Sequence, residues 1–340
     1  MTLDDDHEQI VIRQDLKTGM RLIVAVHSTV LGPALGGLRL KRYAGGLREA
    51  LEDVMGLART MTLKASAAGL DLGGGKAVMI DDGDGSQRLA RLESAARAIE
   101  SLGGAYITAE DIGTTTADID HISRFTRFCT GRSAANGGRG DPSPVTAETV
   151  LAAMRRGLAA QFGTGELDGR RVGVIGLGKV GGALAAMLTS EGARVIACDL
   201  NPERGIDGIE LSRSAEAILG MELDVLAPCA AGGLIDDALA RALDVQVIAG
   251  AANNPLTDRG VAETLARRGI LYVPDFLANC GGLIHVAGEW FGDDESRELA
   301  RIDHAMERLD SAIATAAATG ETPVAVAERQ ALERVAAARR

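Results

Sequence analysis

Two lysines and an aspartate beside glycine-rich stretches give this chain its strongest chemical signature. The stretch Gly69–Lys76 places Lys76 directly after three consecutive glycines, and Lys64 lies twelve residues earlier. A lysine held where backbones pack tightly loses hydration, which lowers its pKa and lets the neutral amine accept a proton near neutral pH. Asp111 adds a carboxylate downstream. These groups predict redox and acid–base chemistry on a small anion that carries an amine or a carbonyl.

A second glycine-rich stretch predicts a dinucleotide-binding loop. Gly176, Gly178 and Gly181 have the Gly-x-Gly-x-x-Gly spacing, after an apolar strand and at the start of a helix. Asp199 ends the next strand, where a carboxylate accepts hydrogen bonds from ribose hydroxyls and repels a 2′-phosphate. Arg204 lies close enough in sequence to offset that repulsion. The pattern therefore favours NAD, with NADP as the open alternative.

Each of these features also has an ordinary structural interpretation. The two lysines could lie on the surface, Asp111 could cap a helix, and the glycines of the nucleotide loop could form a plain turn. Gly36-Gly37 could belong to an ordinary loop, and Asn253-Asn254 could form a turn. The position of the two asparagines after a strand makes hydrogen bonding to a cofactor or substrate the more attractive interpretation.

Composition indicates a globular protein of about two domains, since 340 residues exceed one domain of about 150. A net charge of −11 argues against a nucleic-acid partner, and no apolar run reaches the ~18 residues of a membrane span. The four cysteines are far apart and Met1–Asp6 is acidic, which predicts reduced thiols in a cytoplasmic protein. The five histidines are scattered, so we expect no metal site.

The elements that must position the reactive groups follow from hydrophobic periodicity. In the first part of the chain a helical pattern leads into Lys64, and a strand delivers Asp111 at its carboxyl end. The expected strands are Gln9–Arg13, Met20–Val26, Ala77–Ile80 and Tyr106–Thr108, and the expected helices are Leu47–Met61 and Leu89–Leu102.

The later part of the chain alternates helices with continuously apolar strands, which is typical of a buried parallel sheet and a doubly wound α/β fold. The expected strands are Val172–Ile175, Val195–Cys198, Val225–Ala227, Val245–Ala249 and Ile270–Val273. We expect two α/β domains separated by a cleft. Residues 1–135, with a helix at about 320–340, form the substrate and oligomerisation domain, and residues 136–319 form a Rossmann NAD-binding domain.

Seven motifs, in order along most of the chain, resemble one family, the amino acid dehydrogenases that act on leucine, valine, phenylalanine and glutamate. They are Gly32–Gly37, Met61–Lys64, Gly69–Lys76, Thr108–Thr114, Gly140–Ala147 and Gly250–Asn254, followed by Pro274–Gly282. By position, the resemblance implies that Lys64 binds the substrate α-carboxylate, Lys76 activates water and Asp111 shuttles protons to the amine. It also implies that Asn254 contacts the substrate.

The resemblance assigns further residues to the cofactor and to the substrate side chain. Thr146 and Asn279 match polar residues near the nicotinamide, and Lys179 and Val180 complete the nucleotide loop. Glutamate-specific members carry a lysine where Leu35 stands, so an apolar substrate is implied. The residues implied to surround the substrate are Leu35, Gly36, Ala109, Leu283 and Val286.

The implied reaction is the NAD-dependent, reversible oxidative deamination of an apolar L-amino acid of the leucine or valine type, by a homo-oligomer. Residues 278–288 depart from the usual leucine-enzyme pattern, and His285 and Trp290 are similar to the phenylalanine and valine members. A phenylalanine dehydrogenase is the alternative within this family. A non-catalytic NAD-binding sensor is the alternative of another class.

Overall fold

The computed structural model of the chain describes residues 6–201 and 203–339 and divides into two compact units. The first unit holds the described residues up to Asp141, Leu283–Leu299 and those from Ala331 onward, and the second holds Pro142–Gly282 and Ala300–Gln330. The acidic segment on which the cytoplasmic expectation partly rests consists mostly of residues 1–5, which lie outside the described residues. None of the helices formed by residues 6–201 and 203–339 combines the length and apolar character that crossing a membrane requires.

The first unit is built on a five-stranded mixed sheet. Its strands are β1 Gln9–Asp15, β2 Met20–Ser28, β3 Ala34–Lys41, β4 Gly73–Ile80 and β5 Tyr106–Glu110, in the order β1-β2-β4-β3-β5. Strand β3 runs parallel to β4 and β5, whereas β2 is antiparallel to β1 and β4. The helices are α1 Gly46–Ala67, α2 Arg88–Glu100 and α3 Thr116–Ile122. Strand β3 was not among the expected strands, because its paired glycines also suit a loop.

The two faces of this sheet have different roles. Helix α2 packs on one face, where Leu38 and Met79 join its apolar core. Helix α1 covers the other face, where Val78 is buried. Because side chains alternate along a strand, Lys76 points to the same side as Val78, toward α1. The register of β3 with β4 and β5 puts Leu35 and Ala109 on that side as well.

The second unit contains a six-stranded, wholly parallel sheet in the order β11-β10-β9-β6-β7-β8. Its strands are β6 Arg171–Ile175, β7 Arg194–Cys198, β8 Glu210–Leu211, β9 Glu222–Pro228, β10 Asp244–Ile248 and β11 Leu271–Tyr272. The intervening helices are α4 Ser143–Phe162, α5 Lys179–Ser190, α6 Ala215–Leu219, α7 Asp237–Ala242, α8 Arg259–Arg267 and α9 Asp275–Ala278. The order reverses between β6 and β9, which is where doubly wound sheets bind ligands. The predicted α/β fold class is confirmed.

Three helices complete the chain: α10 Gly281–Phe291, α11 Glu295–Thr319 and α12 Pro323–Ala338. Most of α10 groups with the first unit, whereas the sequence-based limits placed residues 136–319 in one domain. The Glu289 carboxylate accepts a hydrogen bond from the Arg132 guanidinium at 2.7 Å, and the Thr130 hydroxyl donates to the Val286 carbonyl. These bonds join α10 to the chain that follows β5. Helix α12 groups with the first unit only from Ala331, not from residue 320.

Candidate active site

The structure brings together Lys76 and Asp111, the two residues expected to do the chemistry. Nζ of Lys76 lies 3.1 Å from Oδ2 of Asp111, and the two side chains are only 7% and 20% exposed. Burial lowers the pKa of the Lys76 amine, and the charge of Asp111 opposes that shift without cancelling it. Burial also raises the pKa of Asp111, but the positive charges of Lys76 and Arg39 outweigh it and hold that pKa below its usual value.

Further hydrogen-bonded groups extend from the Lys76–Asp111 pair, and the sequence did not reveal them. Nε of Arg39 donates to Asp111 Oδ2 at 2.8 Å, and Nη1 of Arg39 donates to the Asp53 carboxylate at 3.0 Å. The Tyr43 hydroxyl donates to Asp53 at 2.6 Å. Predicting β3 as a strand would have placed Arg39 on the face of the sheet that carries Lys76. That placement is the sequence signal that could have identified Arg39 as a site residue.

The glycines before Lys76 belong to strand β4 and not to a loop. A Cβ at Gly74 would lie 2.0 Å from the backbone nitrogen of Thr62 in α1, and one at Gly75 would lie 2.7 Å from the Tyr106 ring. The absent side chain of Gly74 therefore lets α1 approach the sheet closely, and that of Gly75 leaves room for the Tyr106 ring. Half-buried Lys64 lies two residues after Thr62 in the same helix, so this packing also fixes the turn that carries it.

Gly36 and Gly37, the paired glycines of β3, each lack a side chain for a different structural reason. A Cβ at Gly36 would lie 1.8 Å from the Gly75 carbonyl oxygen, so the neighbouring strand accounts for this glycine. A Cβ at Gly37 would lie 2.6 Å from Cβ of Asp111. Gly37 therefore makes room for Asp111 beside Lys76. This role of Gly37 was not predicted from the sequence.

The four residues expected to line an apolar side-chain pocket all belong to the first unit. Leu35 and Ala109 are buried on the face of the sheet that carries Lys76, and Leu283 is buried in α10. Val286 is half-buried, and its carbonyl accepts a hydrogen bond from Thr130. The amide of Thr130 in turn donates to the Thr108 carbonyl of β5 at 2.9 Å. The contact of these residues with a substrate stays a prediction.

The glycine loop of the second unit fits a dinucleotide pyrophosphate. Gly176 has φ +103°, and its amide donates to the Cys198 carbonyl at 2.8 Å, which closes the turn after β6. A Cβ at Gly181 would lie 2.0 Å from the Gly176 carbonyl oxygen, so α5 packs closely on the loop. Within the described part of the chain, a Cβ at Gly178 would meet only Arg204, at 3.9 Å. The backbone there is open to a phosphate at the start of α5, which Lys179 and Val180 begin.

Asp199 lies beside this loop as an ionised carboxylate. Its Oδ1 accepts a hydrogen bond from the Asn201 amide at 2.8 Å, and its Oδ2 accepts one from the Leu177 amide at 2.7 Å. The Asn201 bond is the largest cause that lowers the pKa of Asp199. Nη1 of Arg204 lies 3.4 Å from Asp199 Oδ2. The Asp199 carboxylate, which suits a ribose, therefore has the Arg204 cation beside it.

Asn279 presents an amide group suited to hydrogen bonding with a nicotinamide. Its Nδ2 donates to the Ala251 carbonyl and to Oδ1 of Asn253, each at 3.1 Å. Its Oδ1 is buried and has no hydrogen-bond partner among residues 6–201 and 203–339. The hydroxyl of Thr146 donates to the Pro142 carbonyl at 2.8 Å. The orphaned oxygen of Asn279 therefore fits a cofactor that supplies an N–H donor.

Asn254 has a backbone conformation that few residues other than glycine adopt, with φ +47°. The Asp275 carboxylate accepts its amide hydrogen at 2.8 Å and also the Tyr272 hydroxyl at 2.9 Å. Asp275 and Tyr272 therefore fix the loop that carries Asn254, and neither residue was predicted from the sequence. Among the residues that the structure describes, no three His, Cys, Asp or Glu side chains are grouped as metal ligands.

Comparison with known proteins identifies the family. The family described as "Glu/Leu/Phe/Val dehydrogenase, dimerisation domain" matches residues 7–127, and "Glutamate/Leucine/Phenylalanine/Valine dehydrogenase" matches residues 203–340. The valine dehydrogenase of Streptomyces virginiae is 43% identical, over 98% of this chain and 95% of that relative. The leucine dehydrogenase of Thermoactinomyces intermedius is 40% identical, over 97% and 91%.

A solved structure of another amino acid dehydrogenase is also similar to this chain. The L-tryptophan dehydrogenase from Nostoc punctiforme superposes with a TM-score of 0.86 at 31% identity, over 98% of this chain and 97% of that one. These matches cover both units and the motifs on which the resemblance rested. The chain belongs to the glutamate/leucine/phenylalanine/valine dehydrogenase family.

Proposed function

We propose that this protein catalyses the reversible, NAD-dependent oxidative deamination of an apolar L-amino acid to the 2-oxo acid and ammonia. The observation that carries the proposal is the buried Lys76–Asp111 pair, with 3.1 Å between Nζ and Oδ2. Valine and leucine dehydrogenases as relatives of 43% and 40% identity support an apolar substrate.

The residues of the first unit supply the acid–base chemistry. Bound NAD would supply the hydride acceptor, and loss of the hydride from the substrate Cα would leave an iminium. Lys76, neutral because burial lowers its pKa, takes a proton from the water that attacks the iminium carbon. Ionised Asp111 first takes a proton from the substrate ammonium group and later returns it to the departing amine, and Lys64 holds the substrate carboxylate by charge. Carbon–nitrogen cleavage then leaves the 2-oxo acid and ammonia.

The residues of the second unit support NAD as the cofactor. The loop of Gly176, Gly178 and Gly181 fits the pyrophosphate, Asp199 fits the ribose, and Asn279 offers its buried Oδ1 to the carboxamide. Thr146 supplies a further polar group at the start of α4. Because Arg204 neutralises part of the Asp199 charge, some use of NADP is compatible with this site.

The side-chain pocket supports an aliphatic substrate. Leu35 stands where a glutamate-specific relative requires a cation, and it is buried on the face that carries Lys76. Burying a leucine or valine side chain is worth roughly 1.5–3 kcal/mol. A substrate carboxylate without a partner in the same place costs several kcal/mol. We therefore rank leucine and valine above phenylalanine, and place glutamate last.

We also propose that the protein is a cytoplasmic homo-oligomer. Strand β1 lies at the edge of its sheet, where no strand of the described residues pairs with its outer side, and Leu16 after it is 93% exposed. All four cysteines are free thiols, which suits a reducing compartment. Sedimentation equilibrium tests the oligomer, and a monomer at all concentrations would contradict it.

The decisive experiment is NADH formation with a panel of L-amino acids at one pH. We expect the largest kcat/KM with leucine or valine, and a very low value with glutamate. D-leucine is the matched control, because it has the same side chain with the wrong configuration at Cα. A lead of more than tenfold for phenylalanine would overturn the aliphatic ranking only. NAD binding without turnover of any amino acid would overturn the proposed function and favour a sensor.

A further inference from the structure

We propose that Arg39 is a positioning residue for this reaction. It holds Oδ2 of Asp111 against Lys76, so that Oδ1 is the oxygen presented to the substrate amine. Asp53 and Tyr43 hold Arg39 in turn. The inference rests on the proposed function, and it adds a second layer of residues to the acid–base pair.

Both cations contact the same oxygen of Asp111. Nε of Arg39 lies 2.8 Å from Oδ2, and Nζ of Lys76 lies 3.1 Å from that atom. Oδ1 accepts no hydrogen bond from any residue in the ranges 6–201 and 203–339. An amine that exchanges a proton with Asp111 therefore meets Oδ1, unless it displaces one of the two cations. The rotation of the Asp111 carboxylate is thus set before a substrate arrives.

The planar guanidinium of Arg39 joins two elements of the fold. While Nε donates to Asp111 after β5, Nη1 donates to the two oxygens of Asp53 in α1, at 3.0 and 3.4 Å. The Tyr43 hydroxyl donates to the Asp53 carboxylate at 2.6 Å and completes the support. The donors of arginine keep a fixed fork geometry, whereas lysine has a single nitrogen. Lysine at this position keeps the charge but does not reproduce both contacts.

The charge of Arg39 also acts on both catalytic groups in the same direction. Burial is the main cause that lowers the pKa of Lys76, and Arg39 adds to that lowering. For Asp111, burial raises the pKa, and the charges of Lys76 and Arg39 lower it by more. Removing the positive charge of Arg39 therefore raises both pKa values. A reaction that needs neutral Lys76 and ionised Asp111 must then shift the rising limb of its pH profile to higher pH.

The test compares three variants in the full-length protein: Arg39→Met, Arg39→Lys and Asp53→Asn. For the best L-amino acid, we expect Arg39→Met to lower kcat by about tenfold to a hundredfold, the scale for a misplaced catalytic group. Its rising limb moves to higher pH, and its KM for NAD is unchanged. Arg39→Lys keeps the limb near its wild-type position but recovers only part of kcat. Asp53→Asn lowers kcat but does not move the limb to higher pH, because the Asp53 charge raises the pKa of Lys76 and its removal lowers that pKa.

The control is Arg91→Met, which removes another buried arginine ion pair of the first unit, 2.6 Å from Asp82. It lowers stability, but kcat per folded molecule and the pH limb stay as in the wild type. Wild-type kcat and pH profile in folded Arg39→Met would overturn the inference while the function stands. If that variant does not fold, unchanged kcat in both Arg39→Lys and Asp53→Asn overturns it. A wild-type protein inactive on every L-amino acid overturns the function and the inference together.

Discussion

Lys76 and Asp111 meet above strand β3, which lies between β4, the strand that carries Lys76, and β5, which leads to Asp111, and Gly37 of β3 has no side chain in the space that Asp111 occupies. The 3.1 Å separation between Nζ and Oδ2 depends on this absent side chain, since a Cβ at Gly37 would lie 2.6 Å from Cβ of Asp111. The acid–base pair is therefore a product of the strand order as much as of its own two residues.

Gly37→Ala tests this relationship directly. The new methyl group must displace Asp111 from Lys76, so we expect kcat to fall by about a hundredfold, as for other misplaced catalytic groups. Gly56→Ala in α1 is the control, because a Cβ there meets nothing within 4 Å. The control should gain about 0.5–1 kcal/mol in urea unfolding without loss of kcat. Full activity in Gly37→Ala would contradict the close approach.

Lys76→Met removes the general base and keeps an apolar side chain in the buried site. We expect kcat for the preferred amino acid to fall at least about 10²-fold, the usual contribution of a general base. NADH affinity, measured by fluorescence titration, should stay the same, because the dinucleotide loop belongs to the second unit. Exposed Lys17→Met is the control for loss of a lysine. Turnover within a few-fold of wild type would exclude Lys76 as the base.

The pH dependence of deamination should report the burial of Lys76. Burial lowers its pKa from the ordinary value of 10.5, and the Asp111 charge only partly opposes this. Protonated Lys76 cannot accept a proton, so activity is lost as the pH falls through the pKa of the folded enzyme. We expect the rising limb of kcat/KM to have its midpoint below pH 10.5. A limb at or above that pH would show that Lys76 is not desolvated.

Asp199→Asn should weaken the discrimination between NAD and NADP. The variant keeps the shape of the side chain and removes the charge that repels a 2′-phosphate. We expect the ratio of kcat/KM for NAD over NADP to fall by about tenfold, a scale typical of one charge-assisted hydrogen bond. Arg204→Gln should change the ratio in the opposite direction, because it removes the cation 3.4 Å from Asp199. A wild-type preference for NADP would refute the ribose assignment.

Local patterns were sufficient for part of this structure. The glycine spacing around Gly176 and the apolar strands that flank it predict the nucleotide loop, because each depends on residues close in sequence. Strand β3 escaped prediction, since Gly36 and Gly37 suit a loop as well as a strand. The glycine-rich stretches singled out Lys64, Lys76 and Asp111, the family resemblance supplied their individual roles, and the structure supplied the distance between the last two.

Long-range contacts account for what the sequence did not reveal. Arg39 bonds to Asp111, 72 residues away, and nothing in the local sequence marks that partner. The grouping of α10 with the first unit depends on contacts such as the Thr130–Val286 hydrogen bond, which spans 156 residues. Such long-range contacts depend on how whole helices and strands pack together. The hydrophobic periodicity of a single segment does not predict that packing.

The interrupted course of the chain between the two units sets an order on its biosynthesis. The Ser66 hydroxyl donates to the Ala331 carbonyl at 2.7 Å, and Arg334 donates to the Leu70 carbonyl at 2.8 Å, across 265 and 264 residues. At about 5–20 residues per second, the ribosome supplies these partners roughly 15–50 s after the loop that needs them. The end of α1 and the loop that follows it therefore lack these partners until α12 is made, so a nascent chain leaves this surface uncovered until the nucleotide-binding sheet has been synthesised in full.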